Sequence, residues 1–294
     1  MFNERQALIA AICAVALWST VATGFKLGLM VMAPVQLLLL GAAISTVVFV
    51  LAATLQGWPR TGWKFREAAL FGLLNPVSYY LLLFEAYDRL PAQLAQPLNY
   101  TWAIVLALLA VPVLKQRLTA RSLFGIAVSY LGVVVLLSQG RFDRLPDIDL
   151  LGVALALAST VLWAGYWLFN ARSSTPPAAF MASSFCIATP VLALLCLLGP
   201  GLPEITPQTL LYGAWVGLVE MGLTFLLWQR ALRLTRHAAR LGQLIFLSPF
   251  ISLLLIGQVL EEQVALSSWL GLGIIVLGLL VTGRPKVASQ PDTL

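Results

Sequence analysis

Residues 34–55 read PVQLLLLGAAISTVVFVLAATL and contain no charged side chain. A helix needs about 20 apolar residues to cross a hydrocarbon core that is roughly 30 Å thick, so this stretch predicts a membrane-spanning helix. Strands are excluded because open sheets leave backbone groups unsatisfied in lipid. The same criterion predicts ten spans along the chain, over residues 7–25, 34–55, 67–87, 92–113, 119–137, 150–170, 178–198, 208–229, 238–260 and 266–283.

The composition of the whole chain also indicates a membrane protein. Of the 294 residues, 60% are hydrophobic and only 10% are charged, and the mean hydropathy is +0.91. A soluble domain carries about 25% charged residues. The net charge of +6 does not indicate nucleic-acid binding, because the basic residues lie in short segments between apolar runs. We therefore expect a lipid bilayer as the surrounding medium and no nucleic-acid partner.

Basic residues are unequally divided between the two sides of the predicted membrane. Fourteen of the 18 Lys and Arg residues fall on the side of the N-terminus, and the other side holds Lys26, Arg89, Arg141 and Arg144. Cytoplasmic loops are enriched in Lys and Arg. Both termini are therefore expected in the cytoplasm, with residues 285–294 forming a disordered cytoplasmic tail.

Short matches that recur at a nearly constant offset indicate an internal duplication. They pair Leu17-Trp18 with Leu162-Trp163, Arg89-Leu90 with Arg233-Leu234, and Ser122, Gly125 and Gly132 with Ser268, Gly271 and Gly278, at offsets of 145, 144 and 146 residues. An odd number of spans per copy places the copies in opposite orientations, as in many secondary transporters. The predicted fold is an all-α integral membrane protein of ten transmembrane helices in two inverted five-helix repeats, residues 1–140 and 149–284.

The sequence lacks the patterns of an enzyme or a metalloprotein. His237 is the single histidine, no Gly-x-x-x-x-Gly-Lys-Ser/Thr loop is present, and Cys13, Cys186 and Cys196 have no metal-ligand spacing. We therefore expect no enzymatic activity, no catalytic residue, no metal site and no cofactor. Transport of a small-molecule substrate, driven by a gradient, fits the sequence better than an enzymatic reaction.

Polar groups at membrane depth are few, and each is a candidate for function. Glu220 lies near the centre of the eighth predicted span. It is either a proton carrier or partner of a substrate amine, or a protonated side chain bonded to a neighbouring helix. Asn75-Pro76 occupies the equivalent depth of the third span, where proline predicts a kink. Ser78 and Tyr79 follow it. These residues either line a cavity or belong to an ordinary kinked membrane helix.

Several aromatic residues also lie away from the membrane interfaces, where Tyr and Trp normally gather. Trp18, Trp102 and Trp163 each lie well within a predicted span, and Asn99 and Tyr100 directly precede Trp102 in the fourth. Buried indole N–H groups need an internal partner. The pattern favours a cavity-lining role for these residues over plain helix packing.

The five-plus-five arrangement resembles the drug/metabolite transporter superfamily, specifically bacterial exporters built from two EamA domains. Glu262-Gln263-Val264, followed by Gly271 and Gly278, is similar to that family's Glu-Arg-Leu segment before a glycine-spaced last helix. In the first half Gln116 stands where the family favours Glu. No role is therefore assigned to Glu262 of the second half.

A narrower resemblance is to the aromatic amino acid exporters of the YddG type. It rests on Leu17-Trp18-Ser19-Thr20, Asn99-Tyr100-Thr101-Trp102 and Leu162-Trp163-Ala164-Gly165-Tyr166. It implies export of aromatic and other neutral amino acids across the bacterial inner membrane by alternating access, by a monomer or weak dimer. The candidate substrate-binding residues are Trp18, Asn75, Ser78, Tyr79, Asn99, Tyr100, Trp102, Trp163, Tyr166 and Glu220.

Two alternatives remain open from the sequence. The first is an exporter of the same architecture for another small metabolite or a cationic drug, which the aromatic faces would hold by cation–π contacts. The second is a membrane scaffold or sensor that transports nothing. It predicts that Trp102 and Trp163 can both become Ala without functional loss.

Overall fold

The structure is a computed structural model that describes residues 3–58, 64–114, 119–141, 148–170, 175–236, 241 and 243–282. Regular secondary structure in these residues is entirely helical. Ten helical segments follow one another, namely α1 (Glu4–Leu29), α2 (Pro34–Gln56), α3 (Phe65–Arg89), α4 (Ala92–Val113), α5 (Ala120–Ser138), α6 (Leu150–Phe169), α7 (Ala178–Leu198), α8 (Pro207–Leu234), α9 (Gln243–Val259) and α10 (Leu266–Thr282). The predicted tail at residues 285–294 lies outside the described residues, as do Gln116 and His237.

Eight of the segments, α1 to α8, are long and apolar enough to cross a membrane, and α9 and α10 are shorter apolar helices. The outer surface exposes large hydrophobic side chains, such as Leu55, Leu150 and Leu198, whose exposed fractions are 88%, 79% and 77%. Extensive apolar surface of this kind is unfavourable in water. The all-α prediction is confirmed for the described residues, and the surface agrees with a membrane protein.

The boundaries of α2 follow from local chemistry. Pro34 occupies its first turn, where a missing backbone N–H has no consequence. The side chain of Gln36 accepts a hydrogen bond from the Ala33 N–H at 3.0 Å and so satisfies one free donor at the helix start. The helix ends at Gln56, and the next residue, Gly57, has a φ of +85° that favours glycine.

Single turn residues interrupt α1 and α4. The hydroxyl groups of Thr20 and Thr101 donate to the carbonyl oxygens of Leu17 and Leu98 at 2.6 and 2.7 Å. A threonine that bonds to the preceding turn competes with the helical backbone pattern and bends the helix. Both breaks lie next to residues that the sequence singled out, Trp18 and Trp102.

Longer breaks occur in α3 and α8. The backbone of α3 leaves helical geometry at Asn75 (φ −148°, ψ 116°), directly before Pro76, so the kink predicted from this pair is present. In α8 a π-helical stretch, Trp215–Glu220, interrupts the α-helix without a proline. It is followed by Gly222, where an added Cβ would lie 2.5 Å from the Gly217 carbonyl oxygen. The sequence did not predict this second break.

Glycine residues bring α5 and α10 into close contact. A Cβ added at Gly132 would lie 2.7 Å from the carbonyl oxygen of Gly271, and one added at Gly271 would lie 2.8 Å from that of Gly132. Gly125 faces Gly278 in the same way, so the two helices run antiparallel. Small residues let helix backbones approach closely in membranes. This contact joins the last helix of the first predicted repeat to the last helix of the second.

Candidate functional site

A cavity of about 730 Å³ lies among α1, α3, α4, α6, α8, α9 and α10. Small-molecule sites occupy roughly 300–1,000 Å³. Along α4 its lining runs from Gln96 to Ala110, and it reaches Leu232 and Thr282 near the ends of α8 and α10. The cavity therefore extends to one end of the bundle. Its aromatic lining residues are Trp18, Phe25, Tyr79, Tyr87, Tyr100, Trp102, Trp163, Trp167, Phe225, Trp228 and Phe246.

Seven of the ten candidate residues line this cavity, namely Trp18, Tyr79, Asn99, Tyr100, Trp102, Trp163 and Glu220. Asn75, Ser78 and Tyr166 are not part of its lining. Tyr166 lies behind Trp163, with 5.8 Å between ring centroids and 20° between planes, and its hydroxyl donates to the sulfur of Met181 at 3.1 Å. Asn75 is only 2% exposed. Tyr166 and Asn75 therefore belong to the packing behind the wall.

Helices α6 and α8 supply most of a continuous aromatic wall. Trp163 of α6 stacks on Tyr79 of α3, with 4.5 Å between centroids and 25° between planes. One turn later Trp167 stacks on Phe225 of α8 at 6.2 Å and 12°. Phe225 also meets Trp18 in a T-shaped contact at 5.8 Å. The packed rings form a fixed surface that favours an aromatic or apolar ligand group.

Glu220 adds a carboxyl group to this wall. The Tyr80 hydroxyl donates to Glu220 Oε1 at 2.8 Å, and Trp18 is a neighbour of the same carboxyl group. A carboxylate inside a membrane protein needs such partners. The side chain is thus bonded to a neighbouring helix and lines the cavity as well.

Asn99 is engaged by the protein itself. Its Oδ1 accepts a long hydrogen bond from the Tyr79 hydroxyl at 3.5 Å, and its Nδ2 donates to Ser159 Oγ at 3.1 Å. One turn earlier on α4, Gln96 also lines the cavity and is 4% exposed. Its Oε1 has no hydrogen-bond partner among the described residues. This Gln96 oxygen is itself buried, and the main role of Asn99 is to join α3, α4 and α6.

A carboxylate caps the start of α4, at the end of the bundle opposite Ala110 and Leu232. Glu262, between α9 and α10, accepts hydrogen bonds from the backbone N–H groups of Ala92 and Gln93 at 2.9 and 3.2 Å. The first N–H groups of a helix lack intrahelical partners, and a carboxylate there is favoured by the helix dipole. Gln93 completes the link, since its Oε1 accepts from Ala265 N and Ser268 Oγ, both at 2.9 Å. The start of α4 is thus fixed to the α9–α10 connection.

Lys26 stabilises the same end from α1. Its Nζ donates to the carbonyl oxygens of Tyr87 and Leu90 at 2.5 and 2.8 Å, which are free acceptors at the end of α3. Arg89 Nη1 meets Asp149 Oδ2 at 3.3 Å and links α3 to the start of α6. These contacts hold the ends of α1 and α3 and the start of α6 together.

Comparison with known proteins gives the family. Residues 5–138 and 150–284 each match the EamA-like transporter family. The chain belongs to this family. It is therefore a multi-pass membrane transporter with two EamA regions, within the drug/metabolite transporter superfamily, rather than an enzyme.

The relatives of this EamA transporter are similar over most of its length. An uncharacterized transporter of Archaeoglobus fulgidus is 22% identical over 275 residues, which cover 92% of this chain and 96% of that protein. An uncharacterized transporter of Clostridium kluyveri is 24% identical over 249 residues, with coverage of 83% and 80%. A protein known from its crystal structure is 22% identical and has a TM-score of 0.64 over 95% of this chain and 96% of that one. This last likeness shows the fold.

The structure also identifies lining residues of the EamA transporter that the sequence analysis missed. Trp167 lies four residues after Trp163, and Trp228 lies three residues after Phe225, so each pair lies on one face of its helix. This helical spacing could have identified these lining residues from the sequence. Gln96 and the capping role of Glu262 had no such signal, because both depend on helices that are distant in sequence.

Proposed function

We propose that this EamA transporter exports aromatic and other neutral amino acids across the bacterial inner membrane by alternating access. The aromatic wall of Tyr79, Trp163, Trp167 and Phe225 carries the proposal. Stacked and T-shaped rings in a cavity of this size offer an apolar surface for an aromatic side chain. Trp18, Tyr100 and Trp102 complete the surface that the substrate touches, while Asn99 holds three of the helices in place.

The proposed topology has ten transmembrane helices in two inverted repeats, residues 1–140 and 149–284. The two shorter helices support it, since α10 has 17 residues and a span needs about 17–25. The breaks in α3 and α8 support it as well, because inverted-repeat transporters use discontinuous helices near the midplane. The antiparallel contact of α5 with α10 is what opposite orientations of the repeats would produce.

With both termini in the cytoplasm, as the basic residues favour, the end of the cavity near Ala110 and Leu232 is cytoplasmic. The links of Glu262 and Lys26 then lie on the periplasmic side. An exporter must load its substrate from the cytoplasm, so this arrangement corresponds to the loading state. In the releasing state the periplasmic links would break and the cytoplasmic end would close.

A flux assay with purified protein in liposomes tests this function. Phenylalanine, tryptophan, threonine and a bipyridinium dye are compared, each with and without a pH gradient. We expect the aromatic amino acids to move faster than the other two compounds. If no aromatic amino acid moves under any gradient, the proposal is wrong. Faster movement of the dye would favour the cationic-drug alternative.

The variant Trp163→Ala tests the wall directly. It removes the ring that stacks on Tyr79 and Tyr166, so phenylalanine flux should fall about tenfold or more, since aromatic pairs contribute roughly 0.5–1.5 kcal/mol beyond area burial. Trp58→Ala is the matched control, because Trp58 is 46% exposed and is not part of the cavity lining. Unchanged flux in folded Trp163→Ala would favour the scaffold or sensor interpretation.

A further inference from the structure

We propose that the cavity recognises its substrate through a protonated amine that Glu220 holds, so that aromatic amines bind as well as the corresponding amino acids or better. The inference rests on the proposed function because it concerns the same cavity. It goes further by naming the chemical group that the site recognises.

The first observation is the supply of acceptors. Glu220 faces the cavity with a carboxyl group whose orientation is fixed by the Tyr80 hydroxyl at 2.8 Å. An ammonium group has three N–H donors and no acceptor, so it suits a carboxyl group at this position.

The second observation is the charge of the lining. Glu220 is ionisable as an acid, and none of the described lining residues is Lys, Arg or His. A substrate carboxylate would therefore meet no countercharge among these described residues, and an ionised Glu220 would repel it. Burying an unpaired carboxylate is far more unfavourable than burying a paired one. Asn99, an obvious neutral donor, already gives its amide to Ser159.

The third observation is the position of the rings around the carboxyl group. Trp18 is a neighbour of the Glu220 carboxyl group and packs against Phe225 and Trp228, with centroids 5.8 and 5.6 Å away. Indole faces attract a cation that approaches within about 6 Å of the ring centroid. A carboxylate with adjacent indole faces is a site for a positive charge. The remaining wall, around Trp163 and Trp167, then receives the aromatic body.

Binding of three phenyl compounds to the purified full chain in detergent tests the proposal. Phenylalanine carries both charges, phenethylamine only the ammonium, and 3-phenylpropionate only the carboxylate. Isothermal titration calorimetry should give phenethylamine a Kd equal to or below that of phenylalanine, and 3-phenylpropionate a Kd at least about tenfold higher. Phenethylamine binding more than tenfold weaker than phenylalanine, or 3-phenylpropionate binding as tightly as phenethylamine, would overturn the inference. Absence of binding by all three compounds would also overturn it.

The outcome is separate from that of the flux assay. Phenylalanine flux together with weak phenethylamine binding leaves amino acid export in place and removes only the present inference. Tight phenethylamine binding without phenylalanine flux leaves the present inference in place and contradicts amino acid export. In that case the cavity recognises amines, but the chain does not export aromatic amino acids.

A pair of Glu→Gln variants assigns the effect to one residue. Glu220→Gln keeps the shape and removes the charge, so phenethylamine binding should weaken at least about tenfold, as expected for a hydrogen bond to a charged group. Glu204→Gln, in the exposed connection between α7 and α8, should leave the Kd unchanged. An unchanged Kd in folded Glu220→Gln would contradict the inference. If that variant does not fold, the three-compound series in the unaltered protein still decides.

Discussion

The phenol of Tyr80 on α3 donates a 2.8 Å hydrogen bond to the carboxyl group of Glu220 on α8. Tyr80 is only 1% exposed, so the bond forms within the protein and fixes the carboxyl group beside the cavity. A hydrogen bond to a charged group contributes about 1.5–3 kcal/mol. Since the partners lie in different EamA regions, the bond also connects the two halves at depth.

Tyr80→Phe should lower the stability of the protein by about 1.5–3 kcal/mol, because the Glu220 carboxyl loses its donor while the ring remains. Thermal unfolding in detergent measures the effect as a lower melting temperature. Tyr130→Phe is the control, because Tyr130 is 42% exposed on α5. Equal melting temperatures for the two variants would show that the bond contributes nothing.

Gly271→Ala should destabilise the contact of α5 with α10. The new methyl group would lie 2.8 Å from the Gly132 carbonyl oxygen and from Leu136 Cβ, and overpacking of this kind costs about 1–3 kcal/mol. Gly273→Ala, in the same helix, meets no atom within 4 Å and should be neutral or stabilising. The difference between the two melting temperatures measures the effect, and its absence would contradict the close approach.

Glu262→Gln should loosen the start of α4. The backbone donors of Ala92 and Gln93 lose a charged acceptor, and loss of an N-terminal cap costs about 0.5–2 kcal/mol. Hydrogen–deuterium exchange of the peptide that contains residues 92–96 should become faster. The neighbouring substitution Glu261→Gln should leave that exchange unchanged. Faster exchange in both variants would argue for a general effect of charge at this end.

Lys26→Met should weaken the end of α3 while preserving the length of the side chain. The carbonyl oxygens of Tyr87 and Leu90 would lose their donor, at a cost of about 1–3 kcal/mol. Lys64→Met is the comparison, because its ion pair with Glu67 is solvent-exposed and such pairs contribute about 0–1 kcal/mol. A melting temperature for Lys26→Met equal to that of Lys64→Met would contradict the capping role.

The helical architecture was largely predictable from hydropathy, because α1 to α8 are apolar segments whose lengths match a bilayer. The kink at Asn75-Pro76 was predictable for a similar reason, since proline acts on its own helix. The break at Trp215–Glu220 was not predictable. No proline marks it, and Gly222, which follows the π-helical turn, resembles any glycine in a membrane helix.

The cavity was predictable only in part. Mid-span position identified Trp18, Trp102 and Trp163, because depth is a property of the linear sequence. Which way a side chain points also depends on how helices pack. Tyr166 therefore lies behind the wall, and Trp167, one residue later, lines the cavity. The engagement of Asn99 by Ser159 similarly depends on the approach of α6 to α4.

The contact of α5 with α10 has a consequence for how a chain of this kind can arise. Gly132 on α5 meets the Gly271 backbone, and Gly271 on α10 meets the Gly132 backbone, so the contact is reciprocal. Reciprocity of this kind is the mark of an isologous interface, in which one surface is complementary to itself. A half-length protein that carries a single glycine-spaced helix of this type already has what it needs to pair with an inverted copy of itself. Fusion of two such copies into one polypeptide preserves a subunit interface as an internal helix pair.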